Sequence, residues 1–354
     1  MSLYVLMKRF EEIKLAADQG DAQSQYDLGR MYEEGQGVKQ DPGKAIQYYL
    51  RAAEQGHAKA QYDLGLMYSR LPANKKNEEE ATRWIQTAMD GFRQAAEKGD
   101  AEAQCRLGEI YDIAKKESLR YGTLKNENQN KRIKTIASAL GLYSGEKDEK
   151  WFEEESARWF QMATEGFRQP AASGDMKAQF ELGGIYCWFL SGRENEEQGV
   201  QWFQKAAEQG LADAQYELGY MHSTGWCVAE QNITEALKWY TRAAEQEHFP
   251  AQTQLARIYA GCDQLTDPDY AEALKWYLKI AERGDGTAQY NIGVMYAKGH
   301  GIAPNFTEAQ KWFRKAMEQG NTNSKQALQL LAASLNKQGN AEDENTLEQL
   351  VLIF

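Results

Sequence analysis

From Ala22 onward the apolar positions follow a helical rhythm that stops, turns and resumes. Ala22, Leu28, Gly29 and Tyr32 fall near helical spacing, and Ala45, Tyr49, Ala52 and Ala53 then sit at i, i+4, i+7 and i+8. Between the two runs lies the turn Gly35-Gln36-Gly37-Val38, and Gly56 follows the second run. The unit therefore predicts two antiparallel helices and two turns. Its Leu-Gly pair recurs at Leu64-Gly65, Leu107-Gly108, Leu182-Gly183, Leu218-Gly219, Leu255-Ala256 and Ile292-Gly293. From Gly29 to Gly65 is 36 residues and from Gly219 to Ala256 is 37, with longer steps only around copies two and three. Seven copies at such a period predict stacked helix pairs, each unable to bury its apolar face without its neighbours.

The small residues carry a physical expectation. A mid-helix glycine costs about 1 kcal/mol of helix propensity, so close approach of the partner helix, with alanine opposite glycine, is expected to compensate. Gly56, Gly99, Gly174, Gly210, Gly284 and Gly320 end second helices as left-handed caps. Asn232 with Glu235, Asp269 with Glu272 and Asn305 with Glu308 match an N-cap acceptor followed three residues later by glutamate, and Asp41-Pro42 serves the same end. Asn232 and Asn305 also begin glycosylation triplets, but as helix caps they read as structure, not sugar acceptors.

With these offsets together, the run Ala-x-x-Gln-Tyr-x-Leu-Gly-x-x-Tyr, Gly-x-Gly-Val, Lys-Ala-x-x-Tyr-Tyr-x-x-Ala-Ala-Glu-Gln-Gly resembles the Sel1-like repeat family, relatives of tetratricopeptide repeats, over about residues 10–321. The resemblance implies an all-α, right-handed α-solenoid of about seven antiparallel helix pairs, used as a protein-binding adaptor or scaffold in bacteria and in eukaryotic quality control. It also implies that first-helix positions two, five, nine and twelve line a concave groove. Domain organisation follows as a capping helix over 1–20, repeats over 21–321 with an insertion at about 115–150, and capping helices over 322–354. The fifth position reads Tyr26, Tyr62, Phe180, Tyr216 and Tyr290, which suit inter-repeat core better than ligand contact. The ninth reads Arg30, Leu66, Glu109, Tyr220, Arg257 and Val294, and these are the candidate partner contacts.

Departures from the repeat mark further candidates. The second helices of copies two and three each gain a seven-residue extension, Gly91 to Gln94 matching Gly166 to Gln169, about two turns that would lie side by side as a ridge or form a duplicated variant that packs on itself. The insertion is locally basic, with Lys131 and Lys134 as candidate contacts, and an i, i+3, i+4, i+7 stripe of Ile133, Ile136, Ala137 and Leu140 predicts a short helix near 130–142. Trp188 and Trp226 place large aromatics in two inter-helix turns, as binding anchors or as satellite core. Residues 346–354 end the chain in an apolar run suited to docking on the last repeat.

Composition changes this picture little. With 42% hydrophobic and 26% charged residues and 6 prolines, the chain can bury a core. A net charge of −11 disfavours phosphate backbones, so nucleic acid is not an expected partner and a protein or peptide is. No run approaches the ~20 apolar residues of a membrane helix, so no insertion is expected. The N-terminal residues read as no export signal, which favours the cytoplasm, or the periplasm if a leader has been removed. Cys105, Cys187, Cys227 and Cys262 read as reduced thiols without a disulfide framework, and no His or Cys pair has zinc spacing. Neither cofactor, metal nor catalytic constellation is expected, and the oligomeric state is open with a monomer the simpler reading. The functional expectation is a non-catalytic scaffold or adaptor; the alternative is a dedicated inhibitor, an immunity protein neutralising a cognate bacterial toxin or secreted effector.

Overall fold

The computed structural model describes residues 3–35, 38–72, 74–121, 149–190, 192–262 and 267–338, with side chains over 10–116, 149–262 and 267–331 within those ranges. The short helix expected at 130–142, Lys131, Lys134 and the apolar end at 346–354 lie outside the described residues. Among the described residues every regular element is helical.

The chain divides into two compact units, Met1–Gln209 and Gly210–Phe354. The first holds α1 (Leu3–Asp18), α2 (Ala22–Glu34), α3 (Pro42–Glu54), α4 (Ala58–Arg70), α5 (Lys75–Glu97), α6 (Ala101–Tyr121), α7 (Glu149–Ala172), α8 (Met176–Gly184) and α9 (Arg193–Glu208). The second holds α10 (Ala212–Thr224), α11 (Ile233–Glu245), α12 (Phe249–Tyr259), α13 (Tyr270–Glu282), α14 (Gly286–Lys298), α15 (Phe306–Glu318) and α16 (Thr322–Gln338). From α2 on, the helices alternate as first and second members of seven pairs, α2/α3 through α14/α15.

Caps set the boundaries. Asp21, Asp100, Asp175 and Asp285 each accept a hydrogen bond from the backbone N–H three residues on, and in copies two and six the Nδ1 atoms of His57 and His248 do the same. Second helices start on Asp41, Asn232, Asp269 and Asn305 in the same way. The capping box is only half used, however. The N–H groups of Asp41, Asn232 and Asn305 go back to carbonyls of the preceding first helix, at Tyr32, His222 and Tyr296. Glu235 and Glu308 are thereby released to pair with Lys238 and Lys311, and Glu272 pairs with Lys275 in the same way.

The core repeats in register. Leu28, Leu64, Leu107, Leu182, Leu218, Leu255 and Ile292 are all at most 1% exposed, and burying each such side chain stabilises by about 1.5–3 kcal/mol. The residue opposite each Leu-Gly glycine is not alanine, as expected, but the large side chain at the centre of the second helix. A Cβ on Gly29, Gly108, Gly183, Gly219 or Gly293 would lie 2.6–2.8 Å from ring carbons of Tyr49, Phe160, Phe203, Tyr240 or Phe313. The alanines flank the ring and let it descend onto bare helix backbone.

A second device joins successive repeats. The Gln of Ala-x-x-Gln donates through Nε2 to the carbonyl eight residues earlier: Gln25 to Ala17, Gln61 to Ala53, Gln104 to Ala96, Gln179 to Ala171, Gln252 to Ala244 and Gln289 to Ala281, at 3.0–3.3 Å. These glutamines are at most 6% exposed. These six first helices are thus stapled to the last turn of the helix before them, whose terminal carbonyls have no partner within their own helix.

Helices α5 and α7, at 23 and 24 residues, are longer than the 13-residue second helices α3, α11, α13 and α15. Their extensions do not stand side by side as a free ridge. The added turns of α5 bury Phe92 and Ala96, with Phe92 edge-on to Tyr62 of α4, and Gly91 lies against Ala58. Gly166 of α7 lies against Ala101 of α6 in the same way. Apolar side chains on the inner face of each extension draw it onto the start of its own first helix. Copy four differs in another respect: α8 runs straight into a π-helical turn, Ile185–Phe189, closed by Leu190 N–H to Ile185 C=O at 3.1 Å.

Candidate partner-binding face

The face presented by the first helices is tied together by side chains that bridge successive repeats. In the first unit, position two forms a charge ladder: Glu102 of α6 accepts from Lys59 of α4 and from Lys177 of α8, the latter at 3.3 Å. Together the two ammonium groups outweigh burial and hold the Glu102 carboxyl below the usual carboxylate range. At position five, the Tyr26 hydroxyl donates to Asp63 of the next first helix at 3.0 Å. Burial pushes the Asp63 carboxyl up, opposed by that hydrogen bond and by Arg106. Tyr49 donates to Glu33 at 2.8 Å, and Arg70 reaches the same carboxylate at 2.8 Å.

The predicted position-nine side chains have unequal surroundings. Arg30 is exposed and forks onto Glu34 of its own helix at 2.7 and 3.1 Å. Leu66 is 5% exposed and lies in the core with Tyr62 and Phe92. Half-buried Glu109 accepts from Arg106 at 2.6 Å. In the second unit Tyr220 is 41% exposed, Arg257 is exposed, and half-buried Val294 borders the cluster built on Phe313.

The two turn aromatics also differ. Trp188 remains 39% exposed while leaning on Phe203 at 5.6 Å, whereas its neighbour Phe189 stacks on Phe160 at 4.0 Å. The π-turn sends one ring into the core and the next to the edge. Trp226 is 36% exposed and meets Tyr220 at 6.4 Å between ring centroids. No disulfide joins Cys105, Cys187, Cys227 and Cys262, of which Cys105 and Cys187 are buried and Cys262 is exposed.

Position six, which sequence reasoning did not single out, is the other polar row of this face: Asp27, Asp63, Arg106 and Glu181 in the first unit, Glu217, Gln254 and Asn291 in the second. Asp63 and Gln254 meet tyrosines of the preceding repeat, a pairing that no periodicity within one helix reveals. Tyr216 stands between Tyr240 and His248, at 5.7 and 5.0 Å, and hydrogen-bonds with Gln254. Beside it Glu217 is half-buried, and burial followed by Asp213 one turn away pushes its carboxyl up to about 7.

An array of helix pairs with no other regular element among the described residues, first helices cross-linked within a unit, and no group of three or more metal-ligating side chains among those residues defines a helical-repeat protein of the tetratricopeptide type. The Sel1 repeat profile matches residues 22–57, 58–90, 101–115, 177–211, 212–248, 250–285 and 286–321, and the chain belongs to that family. Proteins of this family mediate protein–protein interaction, and their fold is typically a non-catalytic scaffold. Chitin synthase regulatory factor 3 of Schizosaccharomyces pombe is 26% identical over 264 residues, 63% of this chain and 24% of that protein. DAP3-binding cell death enhancer 1 of Rattus norvegicus is 31% identical over 209 residues, 59% of this chain and 32% of that protein. The chain therefore spans between a quarter and a third of the length of these curated relatives. The crystal structure of a Sel1 repeat protein from Oxalobacter formigenes is similar at 26% identity and a TM-score of 0.40, covering 93% of each chain. No helix of the described residues is long and apolar enough to cross a membrane.

Proposed function

We propose that this chain is an adaptor that holds a partner protein or peptide along the first-helix face, with positions six and nine and the turn aromatics choosing the partner. One observation carries the reading. Across the copies the packing positions keep one chemistry, a buried Leu or Ile beside Gly or Ala, while position nine runs through Arg30 and Glu109 in the first unit, whose first helices are cross-linked and therefore preorganised, and through Tyr220, Arg257 and Val294 in the second. A rigid frame with variable side chains loses little entropy on binding, and Tyr and Arg are the side chains most often found as interface anchors. The name of one relative, DAP3-binding cell death enhancer 1, is that of a protein binder, which supports the same reading.

The test is affinity capture from native lysate with bound proteins identified by mass spectrometry. The wild-type chain is compared with a Tyr220→Ala/Arg257→Glu variant of the face and an Arg314→Glu variant on second helix α15. Partners lost with the face variant and kept by the second-helix variant are the expected result. Partners kept by the face variant and lost with the second-helix variant overturn the proposal.

A further inference from the structure

The carboxylates of the first-helix face are mostly matched. Glu102 has two lysines, Glu109 has Arg106, Glu34 has Arg30, and Glu33 has Arg70 and the Tyr49 hydroxyl. Glu181, the equivalent of Glu217 in copy four, lies near Arg106 and Lys177. Glu217 is different: the one charged group acting on it is another carboxylate, Asp213. The nearby hydroxyls are engaged elsewhere, Tyr216 with Gln254 and Tyr240 with Ser223 at 3.1 Å. Half-burying an ion without a counter-charge is costly, and here nothing within the described residues offsets that cost.

One ring stands a helical turn from this carboxylate and a second ring meets the first. Tyr220 is one turn on from Glu217 along α10, on the same side of the helix. Trp226 reaches Tyr220 from the following turn, the planes inclined at 66°. That turn keeps the repeat's backbone but holds a residue other than glycine at a positive φ. Its Gly225 and Cys227 repeat the left-handed backbone of Gly299 and Gly301 in copy seven, at φ of 76° and 59° against 75° and 69°. Cysteine thus occupies a conformation that favours glycine. In copy seven the residue between, His300, lies stacked on Tyr270 at 4.1 Å; in copy five Trp226 is directed instead to an exposed ring of the first helix.

We propose that Glu217, Tyr220 and Trp226 receive a basic side chain of the partner, arginine above all, with the carboxylate as counter-ion and the two rings as the cation–π surface. The inference rests on the adaptor reading of this face and names the chemistry one part of it selects. A guanidinium meets each requirement: it forks onto a carboxylate and lies flat on aromatic faces. An apolar side chain would bury the carboxylate further without a partner, and an acidic one would add a third negative charge beside Asp213 and Glu217. The chain's net charge of −11 draws a basic segment toward the face.

Hexa-arginine amide titrated calorimetrically into the full chain at low ionic strength is the test. Glu217→Gln should weaken binding about tenfold through loss of the charged acceptor, and Tyr220→Ala and Trp226→Ala about fivefold each. Glu318→Gln, which removes the same charge from an exposed position on α15, should leave affinity within about twofold. The three site variants change half-buried or exposed side chains outside the buried core, so their circular dichroism should match the parent. Equal losses for Glu217→Gln and Glu318→Gln, or no binding of the peptide at all, overturn the inference. Either result leaves the adaptor reading standing, since that is read from the partner on the whole face.

Discussion

Replacing Gly219 by alanine separates two opposed physical effects. In an isolated helix the change is favourable, by about 1 kcal/mol of propensity. In this molecule the new Cβ would lie 2.6, 2.7 and 2.9 Å from Cδ1, Cε1 and Cγ of Tyr240, against an optimal carbon–carbon separation of about 3.5–4.0 Å. The ring cannot slide aside easily. Tyr240 is 1% exposed, its hydroxyl is held by Ser223, and Tyr216 lies at 5.7 Å. Relief requires α10 and α11 to separate by most of an ångström, an overpacking cost of about 1–3 kcal/mol. Set against the propensity gain, a net loss of up to about 2 kcal/mol is expected. Copy six supplies an internal control, because it already carries Ala256 at this place, fully buried. There Ala256→Gly should cost about 1 kcal/mol or more from propensity alone. Urea unfolding followed by circular dichroism measures both. A Gly219→Ala chain more stable than the parent would show that the ring does not rest on the glycine and would refute the packing argument.

Gln252→Ala should destabilise by about 0.5–1.5 kcal/mol in the same assay, because it removes one of the two donors to Ala244 C=O, the other being Glu247 N–H, at a fully buried site; a loss below about 0.5 kcal/mol would mean the staple is dispensable. Glu247 holds a left-handed φ of 64° at the end of α11, where other copies have glycine, so Glu247→Gly should stabilise by about 0.5–1 kcal/mol, and a loss would contradict that. Glu217 titrates near 7 in the folded chain against 4.5 in the reference state, so the unfolded chain gives up this proton first and stability falls as pH rises from 4.5 through 7. Glu217→Gln should therefore raise the unfolding midpoint at pH 8 and lose that advantage by pH 4.5, and a pH-independent difference would count against it.

Helix positions, caps and the burial of the Leu-Gly leucines were legible because each depends on residues three to eight apart, within reach of a repeating pattern, whereas the side chain that rests on the glycine, expected to be alanine, is the large one of the facing helix. Asn232 and Asn305 read correctly as caps for that reason, although the backbone bonds that release Glu235 and Glu308 to lysines did not show. What stayed hidden lies between repeats. The role of Gln25 and its equivalents depends on a carbonyl in the preceding helix, and the environment of Glu217 depends on groups from several elements. The extensions of α5 and α7 were visible as length, yet where they lie follows from the inward side chains of Phe92 and Ala96. The π-turn at Ile185–Phe189, which separates Trp188 from Phe189, has no signature in hydrophobic period.

The central claim is that partners bind along the first helices. Hydrogen–deuterium exchange of the chain, free and saturated with a captured partner, tests it directly. The account predicts new protection concentrated in the first helices, in the second unit at 212–224, 249–259 and 286–298 and the turn at 225–232, with the second helices 233–245, 270–282 and 306–318 unchanged. Protection confined to those second helices would contradict it.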